Sequence, residues 1–468
     1  MVGTIEITCS NCSSMDNKRN NIMRCLKKIK ISPIQIITLG FAFIILIGAI
    51  LLSLPIASKD FHSIPFVNAL FTSTSATCVT GLVVYDTYTQ FSLFGQLVII
   101  CLIQVGGLGF MMITTLFLMM TRRKIGLSER SVLAESVNAF QIGGVVRLTK
   151  RITICTAILE SVGALLLAIR FCPQMGLVTG IYYAIFHSIS AFCNAGFDLM
   201  GRFDPYISLI PYQSDILINF TIMALIVMGG LGFIVWNDVM ERKLCYRRYR
   251  LHTKIVLLST VFLIISGAIL FYIMEKDNTL AAMKPIDKLV TSLFQSISPR
   301  TAGFNSVDMG GLTEGGTFLL MLLMIIGASP GSTGGGIKTT TIMVILMATV
   351  AYIRNTNDIN IFHRRLESNA LKRAVCCVTI YIILSIIGIF LLIIGQGLPI
   401  KDVIFETLSA ISTVGLSTGV TRELDTLSRL VIILLMYSGR VGSLTLITAV
   451  LVRTKPSFRN PEEKVIIG

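Results

Sequence analysis

From residue 31 onward the chain alternates long apolar runs with short polar, mostly basic strips. Runs at 31–58, 91–121, 152–169, 216–237, 255–274, 315–353, 374–400 and 430–452 predict membrane-crossing helices, because a bilayer core takes about 20 residues of helix to cross. Eight crossings result. Four shorter apolar stretches, about 61–80, 178–195, 287–302 and 402–414, are rich in Ser and Thr and run into a glycine. They predict re-entrant segments that enter the membrane and turn back.

Composition removes the soluble alternative. Of 468 residues 53% are apolar and 14% charged, whereas soluble domains carry about 25% charged residues. Mean hydropathy is +0.78. The net charge of +15 raises the question of nucleic acid, yet 28 of the 40 basic residues lie in the tail (Lys18 to Lys30), in 121–151, 241–254 and 353–373, and after 452. These strips alternate with the crossings, so all fall on one side. The preference of Lys and Arg for the cytoplasm places both termini inside, and topology explains the charge with no nucleic-acid partner. The first apolar run follows a polar, basic tail, so no cleavable signal peptide is expected. Eleven cysteines, an odd number spread from Cys9 to Cys377, read as reduced thiols. Cys9-x-x-Cys12 lacks the second pair that a zinc or redox site needs, and no metal is expected there.

The re-entrant segments repeat. Each carries Phe-x-Ser/Thr-x-Ser: Phe71 to Ser75, Phe186 to Ser190, Phe294 to Ser298 and Phe405 to Ser409. A glycine ends the string that follows: Cys78-Val79-Thr80-Gly81, Cys193-Asn194-Ala195-Gly196, Arg300-Thr301-Ala302-Gly303 and Ser412-Thr413-Val414-Gly415. Successive glycines stand 115, 107 and 112 residues apart. The predicted fold is an all-α integral membrane protein with four span–pore-helix–span repeats in one chain around a pseudo-fourfold pore. The repeats occupy 31–121, 122–240, 241–353 and 354–452, between a cytoplasmic tail at 1–30 and another at 453–468.

A half-length helix ending in mid-membrane leaves carbonyls that hydrocarbon cannot satisfy, so it must line a wet cavity. Its C-terminal end carries the negative half of the macrodipole and favours a cation. An extended strip with glycine can present further carbonyls, and four strips on one axis would replace an ion's hydration shell. For any single glycine, close helix packing explains as much; four at one offset from one motif point to the strips. His187 sits at the variable position of that motif and reads as a packed or vestibule residue, not a metal ligand.

Two segments depart from the repeat. In the third unit Gly327-Ala328-Ser329-Pro330-Gly331-Ser332-Thr333-Gly334-Gly335-Gly336-Ile337-Lys338 interrupts an apolar run. Gly and Pro at that density unwind a helix. Ile337 separates Gly336 from Lys338, which breaks the Gly-Lys order of a phosphate loop. A mobile loop beneath the strips follows, with Lys338 either repelling cations or snorkelling to the cytoplasm. Arg440 lies at the centre of the last span, where a charge costs roughly 2.5–3.5 kcal/mol and needs a partner or a wet interior. It replaces a small residue relative to Gly106-Gly107-Leu108-Gly109 and Gly229-Gly230-Leu231-Gly232. The alternatives are a pore-facing charge or an ion pair with Glu160, the one carboxylate well inside a span. Asp86, Asp198, Asp308, Glu423 and Asp425 follow the glycines; they either concentrate cations at an outer mouth or simply solvate loops.

With four strings, their spacing, the Gly-rich break and Arg440 in place, the chain after residue 30 resembles the Trk/Ktr/HKT superfamily of potassium transporters, and within it the KtrB-like pore subunits. The resemblance implies that the four strings form a K⁺ selectivity filter. Gly81, where Ser accompanies Na⁺ transport, implies K⁺ as the transported ion. It implies that the 327–338 loop is an intramembrane gate obstructing the pore and that Arg440 is an electrostatic brake. It further implies a homodimer in the plasma membrane, a cytosolic nucleotide-binding regulatory ring (KtrA-like) on the basic face, possible dependence on Na⁺ symport, and no bound cofactor. An intramembrane enzyme would need paired Asp, Ser–His or His–Glu sets within spans, and a structural scaffold would conduct no ions.

Overall fold

The structure, a computed structural model, describes residues 32–121, 125–136, 143–243, 245–356, 358–367, 369–442, 445–446, 448, 461 and 463. The tail 1–30, with Cys9 and Cys12, and nearly all of 453–468 lie outside the described residues. The first unit holds α1 (Pro33–Ser53), α2 (Phe66–Cys78), α3 (Leu93–Leu108) and α4 (Phe110–Met120). A linking helix α5 (Leu127–Ser136) leads to the second: α6 (Val145–Met175), α7 (Leu177–Cys193), α8 (Ile216–Leu231) and α9 (Phe233–Arg242). The third has α10 (Leu251–Glu275), α11 (Pro285–Ile297), α12 (Glu314–Ile325) and α13 (Thr339–Ile353). The fourth has α14 (Ala370–Gln396), α15 (Ile400–Ser412) and α16 (Thr426–Val441). Among the described residues one antiparallel hairpin, β1 (Asn360–Ile361) with β2 (Arg364–Arg365), departs from the helical pattern.

Each unit opens with a long helix that faces lipid along one side. In α1, Pro33 supplies the first-turn residue and Ser32 closes a reciprocal capping box with Gln35, which satisfies amides otherwise orphaned at a helix start. Leu39, Phe43, Leu46 and Ile50 are exposed while Ile37, Phe41, Ile45 and Leu52 are buried. Exposed aliphatic rows of this kind belong against hydrocarbon. The same holds along α6, α10 and α14, with Ile158, Phe262 and Phe390 outward.

In three of the four units the middle residue of the repeated motif fastens the pore helix to its long helix by a hydrogen bond, and in the fourth Thr407 only packs there. Ser73 donates to Ile45 O at 2.7 Å, Ser188 to Glu160 O at 2.7 Å and Ser296 to Ile264 O at 2.8 Å. Gly48, Gly163 and Gly267 lie against these hydroxyls, and Gly388 against the Thr407 methyl. A Cβ at the first three would strike the serine, and at Gly388 it would strike Leu435, so glycine permits the close approach. The repeated Phe residues, 71, 186, 294 and 405, are fully buried behind the same contact.

The units close a circle. Helix α3 packs on α7 of the next unit, α8 on α11, α12 on α15, and α16 back on α2. Each second span therefore seats the neighbouring pore helix, and the chain forms one pseudo-fourfold assembly.

The second spans correct the sequence reading. Stretches 91–121 and 216–237 were expected as continuous crossings; both bend by 93°, at Gly109 and Gly232. Helix α16 likewise stops at Val441 with Gly442 as its cap, and most of the remainder of the expected 430–452 crossing lies outside the described residues. These glycines adopt φ of 86°, 94° and 92°, outside the region open to other residues. All four second spans thus break at corresponding points, not the third alone. One glycine in a long apolar run barely changes composition, whereas five with a proline do.

Candidate functional site

Three pore helices end on the first residue of their string, at Cys78, Cys193 and Ser412, and the third unit's ends at Ile297, three residues before Arg300. Two residues before each glycine the backbone turns left-handed, at Val79 (φ 58°), Asn194 (59°), Thr301 (74°) and Thr413 (53°). Three of these are β-branched, and such positions store about 1–3 kcal/mol each, held by surrounding packing. The last Ser of the motif supplies part of that hold. Ser75 and Ser409 accept the amides of Gly81 and Gly415 at 3.1 and 3.0 Å. Ser190 and Ser298 donate to the carbonyls of Phe197 and Phe304, just past the other two glycines.

The four strings meet. A Cβ on Gly81 would strike Ala195 O, on Gly196 Ala302 O, on Gly303 Val414 O, and on Gly415 Thr80 O. Each glycine therefore faces the carbonyl preceding the next one, and the series returns to its start. The glycines take φ of 93°, 69°, 80° and 93°, so both geometry and space exclude larger residues. The string-opening side chains point outward from this ring. Cys193 bonds Gln104 at 3.3 Å, Ser412 bonds Tyr381 at 2.5 Å, and Arg300 reaches Thr260 at 3.4 Å. Cys78 is buried among hydrophobic neighbours.

A cavity lies on either side of the ring. The outer one, about 150 Å³, is lined by all four glycines and by Asp86, Asp198, Asp308 and Arg422. Glu423 and Asp425 do not line it; Asp425 caps α16 through Ser428 N at 2.8 Å. Asp86 accepts Tyr88 N and Thr89 N at 3.0 and 2.7 Å, Asp198 accepts Met200 N at 2.9 Å, and Asp308 accepts Gly310 N at 3.1 Å. The three vestibule acids are thus fixed in direction. Burial, reinforced by the nearby Asp86 charge, pushes the Asp198 carboxyl up to about 7.

The inner cavity, about 330 Å³, is lined by Gly107, Gly109, Pro330, Gly331, Ser332, Gly334, Gly336, Lys338, Gly439 and Arg440. The Gly-rich loop crosses beneath the ring, with Gly334 against Thr301 and Gly335 against Thr413. It is unwound as expected, but it is pinned in this structure. Gly327 N bonds Ile337 O at 3.0 Å, and Ser329 N and Thr333 N bond Gly230 O and Gly229 O at 3.1 and 3.3 Å. Lys338 does not snorkel: its Nζ donates to Gly334 O at 2.6 Å and Gly335 O at 3.3 Å. Arg440 donates to Thr333 O, Gly106 O and, at 3.0 Å, Gly107 O. A fourth-unit side chain thereby ties the third unit's loop to the first unit's break. The alternative ion pair fails, because Gln104 Nε2 takes both Glu160 oxygens at 3.1 Å.

His187 is packed, with Nδ1 on Tyr183 O at 2.8 Å. Among the described residues no group of three His, Cys, Asp or Glu side chains is placed to hold a metal. Sequence reasoning missed the seams at Gly48, Gly163 and Gly267. Their signal was a glycine in each long helix facing the motif, visible only once the motif's serines are given a direction.

A family model described as a TrkH cation transport protein matches residues 32–459. The chain is 40% identical over 447 residues to the Ktr system potassium uptake protein B of Bacillus subtilis, covering 95% of this chain and 99% of that protein. It is 39% identical over 458 residues to the potassium/sodium uptake protein NtpJ of Enterococcus hirae, covering 96% and 100%. The crystal structure of the potassium transporter TrkH from Vibrio parahaemolyticus shares the fold, with TM-score 0.72 over 91% of this chain and 86% of that one at 18% identity.

Proposed function

The chain belongs to the TrkH family of cation transport proteins, ion transporters and not enzymes, and from that premise we propose that it takes up K⁺ through the glycine ring. The observation that carries the reading is the ring's closure between an outer acidic cavity and an inner cavity. K⁺ enters the vestibule at Asp86, Asp198 and Asp308, where fixed carboxylates raise local cation concentration. It exchanges water for backbone oxygens of the four strings, helped by four pore-helix C-termini. It then meets the 327–338 loop and Arg440, which obstruct the inner path until the loop moves.

Gly81→Ser tests the ring. Initial uptake of K⁺, Rb⁺ and Na⁺ into proteoliposomes is measured for the parent and the variant. A fall in the K⁺:Na⁺ ratio is expected, and an unchanged ratio in folded protein overturns the assignment. A link to Na⁺ is a second reading, supported by the relative named for both ions. Stimulation of K⁺ uptake by Na⁺ in the same vesicles decides it.

The remaining assignments rest on the family resemblance and on the charge of the loops. The protein resides in the plasma membrane with both termini in the cytoplasm, works as a homodimer, and takes a nucleotide-binding regulatory ring on its basic face. Cross-linking in membranes reads the dimer directly, and co-purification with such a subunit reads the ring.

A further inference from the structure

The position just after the motif's Phe varies along the chain, as Thr72, His187, Gln295 and Glu406, and all four side chains are buried. In three units this side chain reaches past the ring to the strip that leaves the glycine. His187 Nε2 accepts Leu199 N at 3.3 Å, and Gln295 Nε2 donates to Ser306 at 3.4 Å. Glu406 takes two hydroxyls, one from Ser417 and one from Thr421 at 2.7 Å. Thr72 instead bonds its own helix at Asn68 O, 3.1 Å.

The fourth unit uses the costliest group. Glu406 has no Lys or Arg partner among the described residues. A buried carboxylate without a cation is expensive unless hydrogen bonds occupy its oxygens, and an apolar side chain of that volume would serve packing as well. What an apolar side chain cannot do is hold two hydroxyls at fixed distances. Ser417 in turn accepts Gly419 N at 2.9 Å, and both residues line the outer cavity directly after Gly415.

We propose that Glu406 is a positioning residue for ion selection: acting through Ser417 and Thr421, it fixes the outgoing strip of the fourth unit and so the height of that unit's oxygens in the ring. The inference rests on the ring being the ion-selecting element. Rings of oxygens discriminate K⁺ from Na⁺ by the arrangement and field of their ligands, so a strip freed on one side should lose discrimination before it loses flux.

The test uses the full-length protein in proteoliposomes and reads initial K⁺ and Na⁺ uptake with thermal stability alongside. Glu406→Ala is expected to lower the K⁺:Na⁺ ratio about tenfold, Ser417→Ala and Thr421→Val about threefold each, and neither hydroxyl change to lower it further on the Glu406→Ala background, as partners in one network are non-additive. Glu406→Gln, which keeps an acceptor oxygen, is expected to restore part of the ratio. Equal loss of K⁺ and Na⁺ flux at unchanged ratio overturns the proposal and leaves Glu406 a brace of the fold. If Glu406→Ala does not fold, the two hydroxyl variants decide by the same ratio. Gly81→Ser runs in parallel: a shift there with none at Glu406, Ser417 and Thr421 defeats this inference alone, whereas no shift at any of them defeats the ring as well.

Discussion

The outer half of the molecule is built four times from the same parts, and the inner half is not. Above, every unit contributes a buried Phe, a serine on the strip, a left-handed residue and a positive-φ glycine. Below, the second spans agree only at their breaks and differ in what surrounds them. Three stop on a positive-φ glycine, Gly109, Gly232 and Gly442, and one unwinds over 327–338; of the three, the fourth unit's carries Arg440 where the others have Gly107 and Gly230. Repetition suits a task in which four equivalent oxygens must present one geometry to an ion. Divergence suits a barrier, for which one loop and one charge on an axis are enough. The inner parts are also joined across units, since Arg440 bonds the first and third and the loop bonds the second.

That contrast can be broken by substitution. Alanine at Gly81, Gly196, Gly303 or Gly415 combines left-handed strain with overpacking, about 3 kcal/mol in all, so K⁺ flux should drop about a hundredfold and by similar amounts at all four sites. Uneven losses among the four would show that the outer half is less symmetric in function than in build. Inner substitutions should act in the opposite direction. Arg440→Ala removes a charge and three carbonyl bonds, and basal K⁺ flux should rise about tenfold, corresponding to about 1.4 kcal/mol of barrier. Shortening 329–336 should also raise flux measured without any regulator, and no rise in folded protein would remove the gate assignment.

Smaller changes sharpen the comparison. Ser75→Ala and Ser409→Ala each remove one hydrogen bond to a ring glycine, worth about 1 kcal/mol, and should cut K⁺ uptake about fivefold. The vestibule supplies the smallest effect. With its carboxyl at about 7, Asp198 is mostly neutral at pH 6 and mostly ionised at pH 8. The outer mouth therefore becomes more negative as pH rises, and the apparent affinity for external K⁺ should improve about twofold over that interval. Asp198→Asn should flatten this profile, which half-saturating K⁺ concentrations measured at pH 6, 7 and 8 would record.

The repeat made much of this legible. Phe-x-Ser/Thr-x-Ser with a glycine at a set offset is a local pattern, and a half-helix followed by an extended strip is its local consequence. The Gly-rich loop was legible because it breaks composition outright, and Arg440 because a charge at mid-membrane stands out against apolar neighbours. The bends at Gly109 and Gly232 and the helix stop at Gly442 were not, since one glycine in a helix is tolerated often and its φ depends on what packs beside it. Glu406 was equally hidden. At a variable position it looks unremarkable until Ser417 and Thr421, which follow it by more than two helical turns, fold back over the pore helix.

Apolar run length, motif offset and charge distribution, all properties of neighbours along the chain, determined the membrane class, the four units and the candidate ring residues. Only the tertiary structure decided that the strings meet in a closed circle, that Arg440 bonds carbonyls in preference to Glu160, and that the unwound loop is held still. Those outcomes depend on which donor finds which acceptor across more than a hundred residues of intervening chain. Close packing settles such pairings, and sequence spacing does not encode them.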